Sequence, residues 1–331
     1  MPRKIAILTI NNPSYESAKK LQNYLSDEDI TIFKKERDFE KLDDILPTLW
    51  ENFDAIICIL AIGAVVRKIA PFLKDKSTDP AVLVINLNLD RVIPLLGGHL
   101  GGANEIAQKI ASKIPNCINF VTTATDQRGI ISFEMFAKRE NFRILNLKSL
   151  ANISNRLLNS KTVKIFTCKE IFELIRENKN LKFIEDTKEI DSDTVVIYPY
   201  ANSSALTLIP KIFLGIGCNK GTTKKEIQEA FLSFLEKYNL KIEDIKSISS
   251  FEAKSKEQGL LEFAKEYNFD IMFYDKDKIN SIENLLSNSK ATEFFGIKGV
   301  AEPSAILSSN YKELVFKKEV YNKKITIAGA I

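Results

Sequence analysis

The run Ala55-Ile56-Ile57-Cys58-Ile59-Leu60 is apolar at every position. Successive strand side chains point to opposite faces, so a strand here has no face to offer water. It belongs inside a sheet covered on both sides, the setting of parallel strands flanked by helices. The surrounding sequence supplies that setting. Strands are expected at Lys4–Ile10, Ile30–Lys34, Ala81–Asn86, Arg91–Leu96 and Ile118–Thr123, with an Asn-Leu-Asp turn between the third and fourth. Helical periods separate them, the first placing Tyr15, Ala18, Leu21 and Leu25 on one face. Further helices are expected over Phe39–Trp50, from about Gly63 to Pro71, and over Ala103–Ile114.

The rhythm resumes after residue 210. Strands are expected at Lys211–Gly215, Asp244–Ser249, Asp270–Tyr274 and Lys324–Ile327, and helices at Thr223–Tyr238, Glu257–Tyr267, Lys278–Leu286 and Pro303–Ser308. Residues 127–210 read differently, with Gly129 as their single glycine, many Asn and Lys, and weak strand signals at Val163–Thr167 and Val195–Tyr198. The expected fold class is α/β: two α/β units with mainly parallel sheets, residues 1–126 and 211–331, joined by a small middle domain or linker, residues 127–210. A length of 331 residues accommodates that division.

Composition excludes several classes. With 45% hydrophobic and 27% charged residues, the chain has the balance of a folded globular protein. Its longest apolar stretch, Ala55–Val66, contains Gly63 and falls short of the roughly 20 residues a membrane helix needs. The N-terminus leads into a strand pattern with no signal-peptide core, so a cytoplasmic location without a membrane partner is expected. Cys58, Cys117, Cys168 and Cys218 are widely spaced and form no Cys-x-x-Cys pair; three of them sit in or at the ends of apolar runs, which favours small buried thiols. A net charge of +4 without a basic stripe gives no sign of a nucleic-acid partner.

Glycine is scarce, at 13 residues, yet Gly97, Gly98, Gly101 and Gly102 surround the single histidine, His99. Glycine admits positive φ and close backbone approach, so the cluster marks a special loop. It leads from a strand into a helix, where backbone N–H groups can seat an anion. In α/β sheets, ligands sit beyond the carboxyl ends of strands. His99 adds a group that exchanges a proton near neutral pH. Any imidazole acid–base step must use it; a structural turn with a satisfied histidine is the plainer reading.

Other segments carry chemistry of their own. The next strand ends in Val121-Thr122-Thr123-Ala124-Thr125-Asp126, which gathers hydroxyls and a carboxylate or simply caps a turn. Arg67, Lys68, Lys74 and Lys76 suit a carboxylated ligand or a solvated face. Gly215-Ile216-Gly217-Cys218-Asn219-Lys220-Gly221-Thr222-Thr223 invites a dinucleotide reading, but the acidic residue expected about 20 positions later is not clearly in place. Anion binding there without a nucleotide stays open. Glu302 opens a helix with Pro303 near its start, as a functional carboxylate or only a cap.

Taken together and in order, these segments resemble the CbiG family of anaerobic cobalamin biosynthesis, the cobalt-precorrin-5A hydrolases. The resemblance rests on Gly63–Pro80, Leu95–Asn104, Thr122–Asp126, Gly215–Thr223, Lys254–Leu260 and Gly299–Ala305. Two positions depart from the family pattern. Gly97 stands where members usually carry Ser, which removes a hydroxyl nucleophile. Lys254-Ser255-Lys256-Glu257 replaces Lys-Ala-Asp-Glu, so only Lys254 and Glu257 carry over.

The resemblance implies opening of a δ-lactone formed by the ring A acetate of a cobalt-bound, contracted macrocycle. Release of the extruded carbon as acetaldehyde then gives cobalt-precorrin-5B. On this reading His99 is the candidate general base, Asp126 orients it or replaces it, and Glu302 is a further catalytic candidate. Gly98, Gly101, Gly102, Asn104 and Thr123 would hold an oxyanion or carboxylate. Arg67, Lys68, Lys220 and Lys254 would clamp the acetate and propionate groups, with Gly217, Gly221 and Glu257 as further substrate-binding candidates. No cofactor is expected, since cobalt arrives with the substrate. Neighbouring corrin-pathway methyltransferases and a second copy of the chain are candidate partners. The alternatives are a non-catalytic corrinoid-intermediate carrier and a dinucleotide-binding oxidoreductase.

Overall fold

Among the described residues, the first unit, Met1–Gly129, holds six strands: β1 (Lys4–Thr9), β2 (Asp29–Lys34), β3 (Ala55–Cys58), β4 (Ala81–Ile85), β5 (Arg91–Leu96) and β6 (Ile118–Asn119). The computed structural model describes residues 2–75, 78–122, 130–199, 205–282, 287 and 295–331. The sheet order is β2-β1-β3-β4-β5-β6. Strands β1 to β4 are mutually parallel, whereas β5 runs antiparallel to β4 and β6 follows β5. The Asn86 side chain accepts the N–H groups of Asp90 and Arg91, closing the tight β4–β5 turn.

Both faces of this sheet are covered. Ile5, Ile7, Ala55 and Ile57 pack with Ala18, Leu21, Ile106 and Ile110 of the helices Asn12–Tyr24 and Ala103–Lys113. Ala6, Leu8, Ile56 and Cys58 pack on the other side with Leu46, Leu49, Val65 and Ile69 of the helices Leu42–Asn52 and Ile62–Ile69. A strand apolar at every position is thereby explained, and the mainly parallel α/β expectation holds.

The second unit, Ile130–Ile331, contains two sheets. The first is built from β7 (Arg143–Leu145), β8 (Val163–Phe166), β9 (Leu181–Ile184), β10 (Thr194–Ile197) and β11 (Leu206–Ile209), in the order β7-β11-β10-β8-β9. Here β8 to β11 are parallel and β7 is antiparallel. The second comprises β12 (Ile212–Cys218), β13 (Ile245–Phe251), β14 (Ile271–Tyr274), β15 (Leu314–Tyr321) and β16 (Ile325–Ala330), in the order β14-β13-β12-β16-β15. β12 to β14 are parallel, and β15 and β16 form an antiparallel pair beside them. One apolar core joins the two sheets, with Phe133, Val195 and Leu208 from one side and Phe231, Phe263 and Ile327 from the other. No helix among the described residues is long and apolar enough to cross a membrane.

Candidate functional site

Because β5 runs against β4, its carboxyl end meets the amino end of β4. Leu96 pairs with Val82, and Gly97 lies against Pro80 and Ala81. The glycine loop therefore sits at the sheet edge opposite the carboxyl ends of β1, β3 and β4. Gly97 has φ +67°, and a Cβ there would come 3.1 Å from the Ala81 Cα. A Cβ on Gly101 would come 2.8 Å from the Gly97 oxygen. These two positions need glycine for different reasons, one conformational and one steric.

The loop is bonded to itself. The N–H groups of Gly102, Ala103 and Asn104 donate to the oxygens of His99, Gly97 and Gly98, each at 3.0 Å. Gly102, with φ +84°, opens the helix Ala103–Lys113 as its N-cap. The expected open anion seat is thus corrected at these three donors, which the turn itself satisfies. The half-buried Asn104 side chain lies alongside Gly98, 3.0 Å from where a Cβ would stand. His99 is half-buried in this fixed frame.

β6 runs with β5, and the Phe120 N–H donates to the Val92 oxygen. The chain leaving β6 emerges at the same edge as the glycine loop. Thr123 and Asp126 lie outside the described residues. Lys68 pairs with Asp43 at 2.6 Å, and Arg67 is exposed with its guanidinium directed to the Gly63 oxygen of its own helix at 3.4 Å. Neither cation is joined to the glycine loop by these contacts.

The second cluster lies at the carboxyl ends of β12 and β13. Gly221, with φ +74°, donates its N–H to Glu257 Oε2 at 2.9 Å. Glu257 Oε1 faces Lys254 Nζ at 3.6 Å, and these two side chains are only 13% and 12% exposed. Cys218, the last residue of β12, is buried beside them; burial pushes its thiol up to about 11, with Lys254 opposing the rise and Glu257 adding to it. Lys220 is exposed at the loop tip. Gly221 is thereby joined to Glu257, 36 residues later in the chain, and through it to Lys254.

Gly215 and Gly217 are different. Both lie within β12 rather than in a loop. A Cβ on Gly215 would fall 1.8 Å from the Ala301 oxygen, and one on Gly217 would fall 2.5 Å from Thr326 Oγ1 and 3.2 Å from Val300 Cβ. Their missing side chains admit the helix Ala301–Ser308 onto the sheet. The dinucleotide alternative loses its first two glycines, and Gly217 has no open side to offer a ligand.

Glu302 is 2% exposed. Its carboxylate accepts the Ser287 N–H and hydroxyl, both at 2.7 Å, and the Lys318 N–H at 3.0 Å. Burial alone would raise its pKa, but these hydrogen bonds outweigh it and hold the carboxyl below its usual range. This is a buried clamp between segments, not a carboxylate presented to substrate.

One feature was not legible beforehand. A cleft of about 480 Å³ lies at the carboxyl ends of β1, β3 and β4, lined by Asn11, Ala61, Asn86 and Asn88 among others. It stands where chain order reverses, between β1 and β3, a habitual ligand position in such sheets. Only the strand order reveals it.

Two family models match the chain in sequence. Cobalamin synthesis G N-terminal matches residues 44–126, and Cobalamin synthesis G C-terminus matches residues 212–330. This chain belongs to the CbiG family. The CbiG chain is 28% identical to a cobalt-precorrin-5A hydrolase of Priestia megaterium, over 98% of this chain and 94% of that one. It is 27% identical to the cobalt-precorrin-5A hydrolase of Salmonella typhimurium, over 78% of this chain and 77% of that one. A solved structure of a cobalamin biosynthesis protein G homologue from Sulfolobus solfataricus is 25% identical, with a TM-score of 0.42, and spans 99% of this chain and 96% of that chain. Both clusters described above fall inside the matched CbiG segments, while residues 127–211 match neither family model.

Proposed function

We propose that this CbiG chain is a cobalt-precorrin-5A hydrolase. The observation that carries the reading is family identity in both halves, together with a relative of that name aligned along 98% of this chain. The substrate is a cobalt-bound macrocycle carrying a δ-lactone. His99 takes a proton from water, and the hydroxide adds to the lactone carbonyl. The ring C–O bond then breaks, leaving the acetate carboxylate and an alcohol on the extruded carbon. Deprotonation of that alcohol lets its C–C bond break. Acetaldehyde departs, and the electron pair passes to the macrocycle, which is then protonated. A base poised near neutral pH suits both proton transfers.

Support for His99 as the base is its position in a loop closed by three internal hydrogen bonds, since a fixed group pays less reorganisation during reaction. Lys220 and Lys254 are proposed to meet substrate carboxylates, with Glu257 holding Lys254 and the Gly221 loop in place. Cobalt is part of the substrate, and the reaction calls for no further cofactor. Incubation with cobalt-precorrin-5A tests the proposal. Expected are acetaldehyde and a macrocycle of correspondingly lower mass. Tight binding with an unchanged macrocycle would instead establish a carrier.

A further inference from the structure

The middle sheet repeats the plan of the first. In the first unit β2-β1-β3-β4 run parallel, with the chain reversing between β1 and β3; in the middle sheet β9-β8-β10-β11 run parallel, reversing between β8 and β10. A cavity of about 330 Å³ opens at the carboxyl ends of β8, β9 and β10, the position of the Asn-lined cleft in the first unit. Its walls include Phe166 and Tyr198, with ring centroids 5.2 Å apart, and Phe183. The half-buried Glu313 lines it, with the exposed Glu170 and Glu185, against the single exposed cation Lys169.

We propose that this cavity is a binding site for a small organic ammonium ion, independent of the hydrolase reaction. The site is aromatic-walled, and ring faces attract cations. It is acidic, and among the described residues Glu170, Glu185 and Glu313 form no ion pair. Burial and the neighbouring Glu170 both push Glu313 toward its neutral form, with a Tyr198 hydrogen bond opposing them; a bound cation would relieve that cost. The cavity's volume suits a small ligand.

Calorimetric titration of the full chain with choline and with 3,3-dimethylbutanol, its uncharged carbon counterpart, tests this. Expected is saturable choline binding, little binding of the alcohol, and a roughly fivefold or greater loss in Glu313→Gln. Should Glu313→Gln fail to fold, Glu170→Gln with Glu185→Gln, both at exposed positions, should weaken choline severalfold instead. Equal binding of choline and the alcohol would overturn the proposal, as would no saturable choline binding. So would choline affinity unmoved by either set of folded variants.

Discussion

The carbonyl oxygen of Ala301 lies 1.8 Å from the point where a side chain on Gly215 would begin. Backbone cannot yield there without moving the helix Ala301–Ser308 off β12. Gly215→Ala is therefore expected to cost at least the roughly 1–3 kcal/mol typical of overpacking, or to prevent folding. Gly217→Ala should cost less, because its nearest neighbour is the rotatable Thr326 side chain at 2.5 Å. Gly221→Asn should be nearly neutral: nothing lies within 4 Å, and Asn tolerates its φ of +74°. Denaturant midpoints that failed to fall in the order 215, 217, 221 would contradict this packing account.

Glu302 predicts a pH signature. Its folded pKa lies below the ordinary value, so its stabilisation is present above the unfolded carboxylate range, about 4.3, and fades as pH falls through the folded pKa. Glu302→Gln should thus lose most stability near pH 7, by about 1–3 kcal/mol for a buried, multiply bonded group. The gap between wild type and variant should narrow below pH 4.3. Unfolding curves collected across that range check the sign; a gap that widened in acid would contradict it.

Much of this architecture was legible because its signals are local. The buried strands β1, β3 and β4 are apolar runs, and the Asn86 turn carries its own capping residue. The middle region hid its sheet for compositional reasons. The helix Leu147–Leu158 buries Leu150, Ile153 and Leu157 at helical spacing, but Asn and Lys surround them. Asn141, Asn146 and Asn180 sit at positive φ, doing the conformational work usually left to glycine. That substitution lets the middle stretch turn without glycine, so its turns carry none of the usual glycine punctuation. β15, read from Leu-Val-Phe-Lys-Lys-Glu-Val-Tyr, escaped because an edge strand with register shifts loses strict alternation. Of the candidate site, the Gly221–Glu257–Lys254 contact and the packing of Gly217 and Glu302 were not legible, because each depends on partners set by the fold and not by local spacing.

Arg143 and Asp244 tie the middle sheet to the last one. Two parallel hydrogen bonds of 2.7 and 2.6 Å join the guanidinium to a carboxylate that is 1% exposed. Asp244 also accepts the Lys241 N–H at 2.8 Å. Removing one partner leaves the other desolvated and unpaired, so Asp244→Ala should cost roughly 3 kcal/mol. Chemical denaturation measures it. A loss below about 1 kcal/mol would rank this pair with ordinary surface bridges.

A polycarboxylate substrate predicts salt sensitivity. Exposed Lys220 acts through solvent, where attraction is screened beyond about 8–10 Å. Substrate affinity should fall as ionic strength rises, and Lys220→Ala should lower both the affinity and its salt dependence while leaving thermal unfolding unchanged. Lys254→Met should weaken binding with less effect on the salt slope, because that ammonium is largely buried beside Glu257. Affinity constant across salt would assign recognition to apolar contact with the macrocycle.

His99 carries the mechanistic prediction. It is the chain's only histidine, so an imidazole ionisation in the pH–rate profile has a single source. Loss of a general base should lower turnover by roughly 10²–10⁴, with a smaller effect on substrate binding. His99→Asn is the informative variant: it keeps hydrogen-bonding capacity but takes no proton in this range. The backbone hydrogen bonds that close residues 97–104 remain available to the variant, and its thermal unfolding checks that the loop survives. The wild-type ionisation should vanish from the variant's profile. Gly101→Val serves as the complementary control, since a Cβ there would meet the Gly97 oxygen at 2.8 Å and distort the loop with the base still present. That variant should lose activity while keeping an imidazole-dependent profile in whatever activity remains. A folded His99→Asn protein with full turnover would remove the base from this loop. Since Glu302 is committed to its three donors, the assignment would then pass to Asp126.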